Sequence, residues 1–256
     1  MLIDTHVHLN NPTLLDQLPT VLEQATQAGV EKMVVVGYDT VSNLKALELT
    51  KNHDSLYAAV GFHPTEATKV QEADYQRLAS WLDMPKVVAL GEIGLDFYWD
   101  KTHQDTQIVV FKRQIEMAQA RGLPIAVHMR DATEKTYETL KPYAPLSGVM
   151  HCYSGSSEMA EKFVALGMHI SLGGPVTFKN AKVPKEVARV VPLERLLIET
   201  DAPFLAPHPY RGKTNGPGYL PLIAKAIATE RGLSYETVIE ATTRNALKLF
   251  PFKEAN

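Results

Sequence analysis

Leu2-Ile3-Asp4-Thr5-His6-Val7-His8-Leu9 reads as one β-strand, and its reading governs the rest of the chain. Alternate residues of a strand share a face, so Asp4, His6 and His8 are expected to project together while Thr5 and Val7 project the other way. Two imidazoles on one face of an otherwise apolar strand are a ready pair of metal ligands. Asp4, one layer deeper, is placed to hold an imidazole N–H. The alternative, two ordinary histidines on a surface strand, would bury two unpaired rings and is disfavoured for that reason.

Seven further apolar, β-branched runs follow: Lys32–Tyr38, Leu56–Phe62, Val87–Leu95, Pro124–Arg130, Gly148–Tyr153, His169–Leu172 and Leu196–Thr200. Amphipathic stretches alternate with them. They are Leu14–Ala28, Ser42–Asn52, Asp74–Leu82, Asp105–Arg121, Ala132–Tyr143, Ser156–Leu166, Val183–Val190 and Tyr219–Arg231. Gly29, Gly122, Gly167 and Gly232 stand where helix ends need a left-handed residue. Alternation of this kind implies a parallel sheet, and eight units in steps of about 30 residues favour an α/β fold closed as a TIM (β/α)₈ barrel. An open doubly wound sheet would carry G-x-G-x-x-G after its first strand, which is missing here. An extra C-terminal helix, Tyr235–Phe250, begins after Ser234 as N-cap and is expected on the outside.

The 256 residues suit a single domain, 1–256, with 45% hydrophobic and 21% charged residues as in an ordinary globular protein. Cys152 is the one cysteine, so no internal disulfide forms. Asp4 stands where a signal peptide would carry positive charge, and no apolar run is long enough for a bilayer. The expectation is a cytoplasmic protein with no membrane association and no obligate protein partner. A net charge of −3 argues against a general nucleic-acid coating protein, though not against an enzyme with a cationic mouth.

Four other strands end on ionisable groups: Glu92 in Val87–Glu92, His128 after Val127, His151 after Met150 and Asp201 after Thr200. The C-terminal end of a barrel strand is where such enzymes keep their chemistry. Any one of these residues alone reads as a satisfied core polar group. Six converging on one rim read as a site. Four histidines and two carboxylates suit two divalent cations, Mg²⁺, Mn²⁺ or Zn²⁺, bridged by a carboxylate. The expected assignment is His6, His8 and Asp201 to one ion, His128 and His151 to the other, and Glu92 between them. Such a pair lowers the pKa of bound water from about 15.7 towards 7, and Asp201 is placed to take its proton.

Asp-Thr-His-Val-His-Leu (4–9), Gly-Phe-His-Pro (61–64), Gly-Glu-Ile-Gly-Leu-Asp-Phe (91–97), His-Met-Arg-Asp-Ala (128–132), His-Cys-Tyr-Ser-Gly (151–155) and Glu-Thr-Asp-Ala-Pro (199–203) resemble the signatures of the TatD family of metal-dependent hydrolases, in the family's order and over nearly the whole chain. The resemblance implies a two-metal site with the ligands just given, in an amidohydrolase-like barrel whose bridging position is Glu92 and not a carboxylated lysine. It also implies a deoxyribonuclease that removes nucleotides 3′→5′, with DNA, single-stranded or at 3′ ends, as substrate. Family positions linked to activity fall on His63, an acid or orienter at the scissile group, and on Glu199, which shares the strand face of Asp201.

For substrate grip Arg130, two residues beyond His128, is placed as a phosphate clamp. Lys101, Lys179, Arg211 and Lys213, with Phe97, Tyr98, Trp99, Tyr153, Phe178 and Tyr210, form a wider pool of cations and stacking surfaces. The Pro- and Gly-rich stretch Pro203–Pro221 reads as a loop over that rim. Barrel loops can change substrate while the metals stay, so the second reading is an ester or amide hydrolase, for instance of aminoacyl-tRNA or a cyclic amide. A non-enzymatic metal-stabilised scaffold is disfavoured, because structural metal sites are closed. Gly212-Lys213-Thr214 lacks the upstream glycine of a phosphate-binding loop, and His169 falls at the far end of the barrel.

Overall fold

In a computed structural model describing residues 1–252, eight parallel strands stand in chain order around a nearly closed barrel. They are β1 (Leu2–Val7), β2 (Val30–Val36), β3 (Leu56–Val60), β4 (Val87–Asp96), β5 (Ile125–Arg130), β6 (Gly148–Met150), β7 (Met168–Leu172) and β8 (Leu196–Ile198). The TIM-barrel expectation holds; the last four residues of the expected single domain, 253–256, lie outside the described residues. No described helix is long and apolar enough to cross a membrane.

Around the barrel run α1 (Pro12–Leu15), α2 (Leu18–Gln27), α3 (Thr40–Asn52), α4 (Glu72–Leu82), α5 (Gln104–Gln119), α6 (Thr133–Leu140), α7 (Ser157–Ala165), α8 (Lys182–Val190), α9 (Leu220–Arg231) and α10 (Tyr235–Leu249). The expected helix Leu14–Ala28 is two helices, because Pro19 has no N–H and its ring would clash with the carbonyl four residues back. Pro142 likewise turns the end of the expected Ala132–Tyr143 helix into a 3₁₀ segment, Lys141–Tyr143. All four predicted terminal glycines have positive φ, from 63° to 104°. Ser234 caps α10 by accepting from Thr237 N.

Hydrogen-bonded ladders join neighbouring strands from β1 to β8. The joint between β8 and β1 is made differently, by the loop that follows β8. Asp201 N donates to His6 O at 2.9 Å and His8 N to Ala202 O at 2.8 Å. Thr5 Oγ1 donates to Ile198 O at 2.9 Å, and Asp4 Oδ1 accepts from Thr200 N at 2.9 Å.

Two apolar clusters follow from strand alternation. Leu2, Val7, Ile170 and Leu172 face the helices. Ile3, Val34, Tyr57, Ala126, Val149 and Leu197 fill the barrel together with Ala246, Leu249 and Phe250. The last turn of α10 therefore plugs the barrel's N-terminal mouth. That corrects the expectation of a helix packed wholly outside, and the apolar end Leu249-Phe250 explains it.

Because Met168, Ile170 and Leu172 of β7 face outward, His169 and Ser171 face in. His169 is buried at the N-terminal mouth, as expected far from the chemistry. Burial, aided by the charge of Arg195, pushes its imidazole down to about 4. The fold thus prefers the neutral ring. Its stabilisation is complete above the unfolded value of about 6.5 and is lost as pH falls through that window to 4, an effect of about 2 kcal/mol. His169→Gln should accordingly reduce the fall in urea midpoint between pH 7 and about pH 4.5. An unchanged fall would refute the assignment.

Candidate metal centre

Glu92, in β4, stands at the middle of the C-terminal mouth. Its Oε1 lies 2.8 Å from His128 Nδ1, 3.0 Å from His151 Nε2 and 3.6 Å from His63 Nε2. Its Oε2 faces the other way, 3.7 Å from both His6 Nε2 and His8 Nε2. Asp201 Oδ1 completes that second group, 3.4 Å from His8 Nε2 and 3.8 Å from His6 Nε2. All six residues expected as ligands therefore meet, and His63 joins them.

Three of the six lie just past their strands. His8 follows β1, while β6 and β8 are shorter than expected and leave His151 and Asp201 in the turns beyond. Asp201 has φ 54° and Cys152 φ 40°, left-handed turns that non-glycine residues adopt at a cost of about 1–3 kcal/mol.

Asp4 is the correction. β1 advances three residues from Asp4 to Val7 while β2 advances two, from Met33 to Val35. The extra residue breaks strict alternation, so Asp4 does not share the face of the two histidines. Its carboxylate is held by the backbone N–H and hydroxyl of Thr200 across the β1–β8 joint. Burial pushes that carboxyl up to about 7, against those hydrogen bonds.

The rings are oriented from behind. His8 Nδ1 is 3.0 Å from Val36 O, which only accepts, so Nδ1 carries the proton and Nε2 turns a lone pair inward. His151 Nδ1 faces Glu199 Oε1 at 3.2 Å, and the same oxygen accepts from Cys152 N at 2.7 Å. Glu199 is fully buried behind His151, and its Oε2 has no partner. His128 Nε2 is 3.0 Å from Asp96 Oδ2, which leaves Nδ1 for Glu92. Thr65 N donates to His63 Nδ1 at 3.2 Å, so His63 presents an Nε2–H to the site.

Asp96 escaped the sequence reading as an individual site residue. A second carboxylate four residues after Glu92, in an otherwise apolar run, was the available signal. Gln107 and Gln114, one heptad apart on the buried face of α5, were also missed. Gln107 pairs with the backbone of Asp96 through bonds of 2.9 and 3.0 Å. Gln114 does the same for Phe62, the residue before His63, at 2.8 and 3.1 Å. Buried amides thus fix the loop backbone where the strand ladders end.

Electrostatically the centre is one of strong coupling. Burial opposes the charge on Glu92, but the surrounding imidazoles of His151, His63 and His128 outweigh it and hold the carboxyl well below its usual range. Burial and its neighbour His128 push His63 down to about 3, so it stays neutral. Burial also opposes charge on His151, yet Glu92 and Glu199 raise it well above the ordinary histidine value.

The donor set fits metal ions. Donors sharing a tetrahedral cation at about 2.0–2.1 Å stand about 3.3 Å apart. His6 Nε2 and His8 Nε2 are 3.2 Å apart, with His8 Nε2 unprotonated in the neutral tautomer and Asp201 within 3.4 Å of it. The compact groups of possible ligands are His6, His8 and Glu92; His63, Glu92 and His128; and His6, His151 and Glu199.

Of the wider pool, Arg130 lies over Tyr98 at 4.0 Å and Trp99 at 5.5 Å, a ledge anchored by Asp96 Oδ1, which accepts from both Tyr98 N and Trp99 N. Phe204, in the loop after β8, is half exposed beside His8. Tyr153 is buried with its hydroxyl donating to Ser156 O and cannot stack on a ligand. Arg211 covers Phe178, and Tyr210 stacks on Tyr219.

The family described as TatD related DNase matches residues 3–251. The chain is 45% identical over 252 residues to YabD of Bacillus subtilis, named an uncharacterized metal-dependent hydrolase, covering 98% of this chain and 99% of that one. It is 34% identical to a similarly named Mycobacterium tuberculosis hydrolase, TatD, over 97% of each chain. The crystal structure of YjjV, a TatD homologue from Escherichia coli, superposes with a TM-score of 0.93 at 33% identity, again over 97% of each chain. The barrel, the convergent imidazoles and carboxylates, and these likenesses agree: the chain belongs to the TatD family of metal-dependent hydrolases.

Proposed function

We propose that this hydrolase cleaves phosphodiester bonds in DNA, releasing nucleotides from single-stranded 3′ ends, with two divalent cations held by the residues around Glu92. One observation carries the reading: the two oxygens of Glu92 face two separate donor groups, His6, His8 and Asp201 on one side and His128 and His151 on the other. Bound there, Mg²⁺, Mn²⁺ or Zn²⁺ would supply Lewis acidity and an acidified water.

The chain's own residues do the rest. Asp201 Oδ1 accepts the proton of the attacking water. His63, neutral and with its Nε2–H turned inward, donates to an oxygen of the scissile group. Glu199 and Asp96 hold the far nitrogens of His151 and His128, which leaves His151 Nε2 and His128 Nδ1 as the nitrogens that would take a cation. Arg130, exposed at the rim, offers a guanidinium to the phosphate. The deoxyribonuclease name of the matching family supports the choice of bond.

The test is a substrate panel on chelator-stripped protein with each metal restored in turn. Mononucleotide release from single-stranded DNA is the expected result, exceeding turnover of aminoacyl esters and cyclic amides. No release with any of the three metals would reject the proposal.

A further inference from the structure

We propose that the N-terminal pole of the barrel, opposite the metal centre, carries a second binding site, for the phosphate group of a small phosphomonoester. A recess of about 370 Å³ opens there between the starts of β6, β7 and β8 and the last turns of α10. Arg195, Arg244, Lys248 and His169 line it, with Glu194 as the one carboxylate.

The lining of the recess is net positive, three permanent cations against one carboxylate. The chain as a whole is net negative, at −3. Four arginines elsewhere are matched by carboxylates, Arg77 by Asp74, Arg113 by Glu72, Arg121 by Asp83 and Arg189 by Glu230, while Arg130, Arg211 and Arg231 rest on aromatic rings or backbone carbonyls. Among the described residues, Arg195, Arg244 and Lys248 form no ion pair with any carboxylate. Three like charges gathered around one recess repel one another unless an anion is shared between them.

The second observation is independent of that balance. His169 is 7% exposed, and its Nδ1 is buried without a hydrogen-bond partner. An imidazole nitrogen left unmatched inside a protein costs stability. Here it belongs to a residue that lines the recess, and on protonation of the ring a small rotation would let its Nδ1–H donate to an anion's oxygen. Burial first, and then the charges of Arg195 and Lys248, keep the ring neutral against a hydrogen bond to the Gly148 backbone.

The shape of the recess narrows the ligand. Guanidinium forks match the oxygens of a phosphate dianion, and its three free oxygens can accept from several donors at once. The volume is on the scale of ligand pockets, well above the need of one phosphate. Leu146 and Leu249 supply an apolar wall for an attached organic group. This site does not depend on the proposed reaction, since it lies at the other ends of the strands.

The experiment follows the ring resonances of His169 by NMR during titration with inorganic phosphate, adenosine 5′-monophosphate and adenosine. Calorimetry supplies the affinities. A saturable His169 shift with the nucleotide is expected, with a dissociation constant below about 1 mM, tighter than inorganic phosphate, and none with adenosine. The ring pKa should move upward as the anion binds. The double variant Arg244→Ala/Lys248→Ala, changed only on the exposed face of α10, should weaken the response at least about tenfold. Phosphate bound at the metal centre would be unaffected by that variant and would leave His169 unmoved. A silent His169, or a response that survives in the double variant, overturns the site. A response to inorganic phosphate alone overturns the assignment to an ester.

Discussion

Glu92→Gln should lower metal-supported hydrolysis by about 10³-fold or more while leaving the barrel folded. The amide has nearly the shape of the carboxylate but none of its charge, and its NH₂ would point a donor at one of two groups of nitrogen lone pairs. Both groups depend on that carboxylate, with His128 and His151 within 3.0 Å of Oε1 and His6 and His8 at 3.7 Å from Oε2. Losing several kcal/mol of charge stabilisation corresponds to a rate loss of this size. Steady-state kinetics, with metal content measured on the same sample, checks it. Turnover within tenfold of wild type would show that Glu92 does not bridge the proposed ions.

Gly94→Ala should be the most damaging single methyl group in the barrel. Gly94 has φ 146°, where side chains are rarely tolerated, and an added Cβ would lie 1.9 Å from His128 O. The contact is with backbone of the paired strand, since Gly94 and His128 are register partners in β4 and β5. Relief requires the two strands to part, and the loss should be about 3 kcal/mol or more. Gly29→Ala provides the comparison: φ is 79° but no atom lies within 4 Å, so only the backbone cost of about 1 kcal/mol applies. Urea midpoints of the two variants separate crowding from conformation. Equal losses would mean that β4 and β5 yield without cost. Because His128 follows the movement, Gly94→Ala should also weaken metal retention.

The barrel was legible because its signals are local and repeated: β-branched runs and amphipathic stretches recur eight times, four of them closed by a terminal glycine, so errors at single boundaries do not disturb the topology. The site was legible for a different reason. Glu92, His128, His151 and Asp201 are costly groups closing apolar runs, and a cluster explains that cost better than separate accidents. What stayed hidden depends on register and on distant partners. The extra residue in β1 that turns Asp4 toward Thr200 leaves no mark in the pattern of the strand itself. Gln107 and Gln114 look like ordinary polar helix residues until the backbone they hold is in place. Asp96 needed His128 opposite it, and the plugging role of Phe250 needed the barrel mouth beneath it.

The joint between β8 and β1 gives the metal centre a mechanical meaning as well as a chemical one. Every other pair of neighbouring strands is stitched by its own ladder, whereas this one relies on a few bonds around Asp4, Thr5, His6 and Ala202. His6 and His8 belong to one bank of that line and Asp201 to the other. An ion gripped by all three would act as a clasp, fastening the first strand to the last. Occupancy and closure of the cylinder would then rise and fall together, and the molecule would be softest along the very line where the proposed reaction takes place.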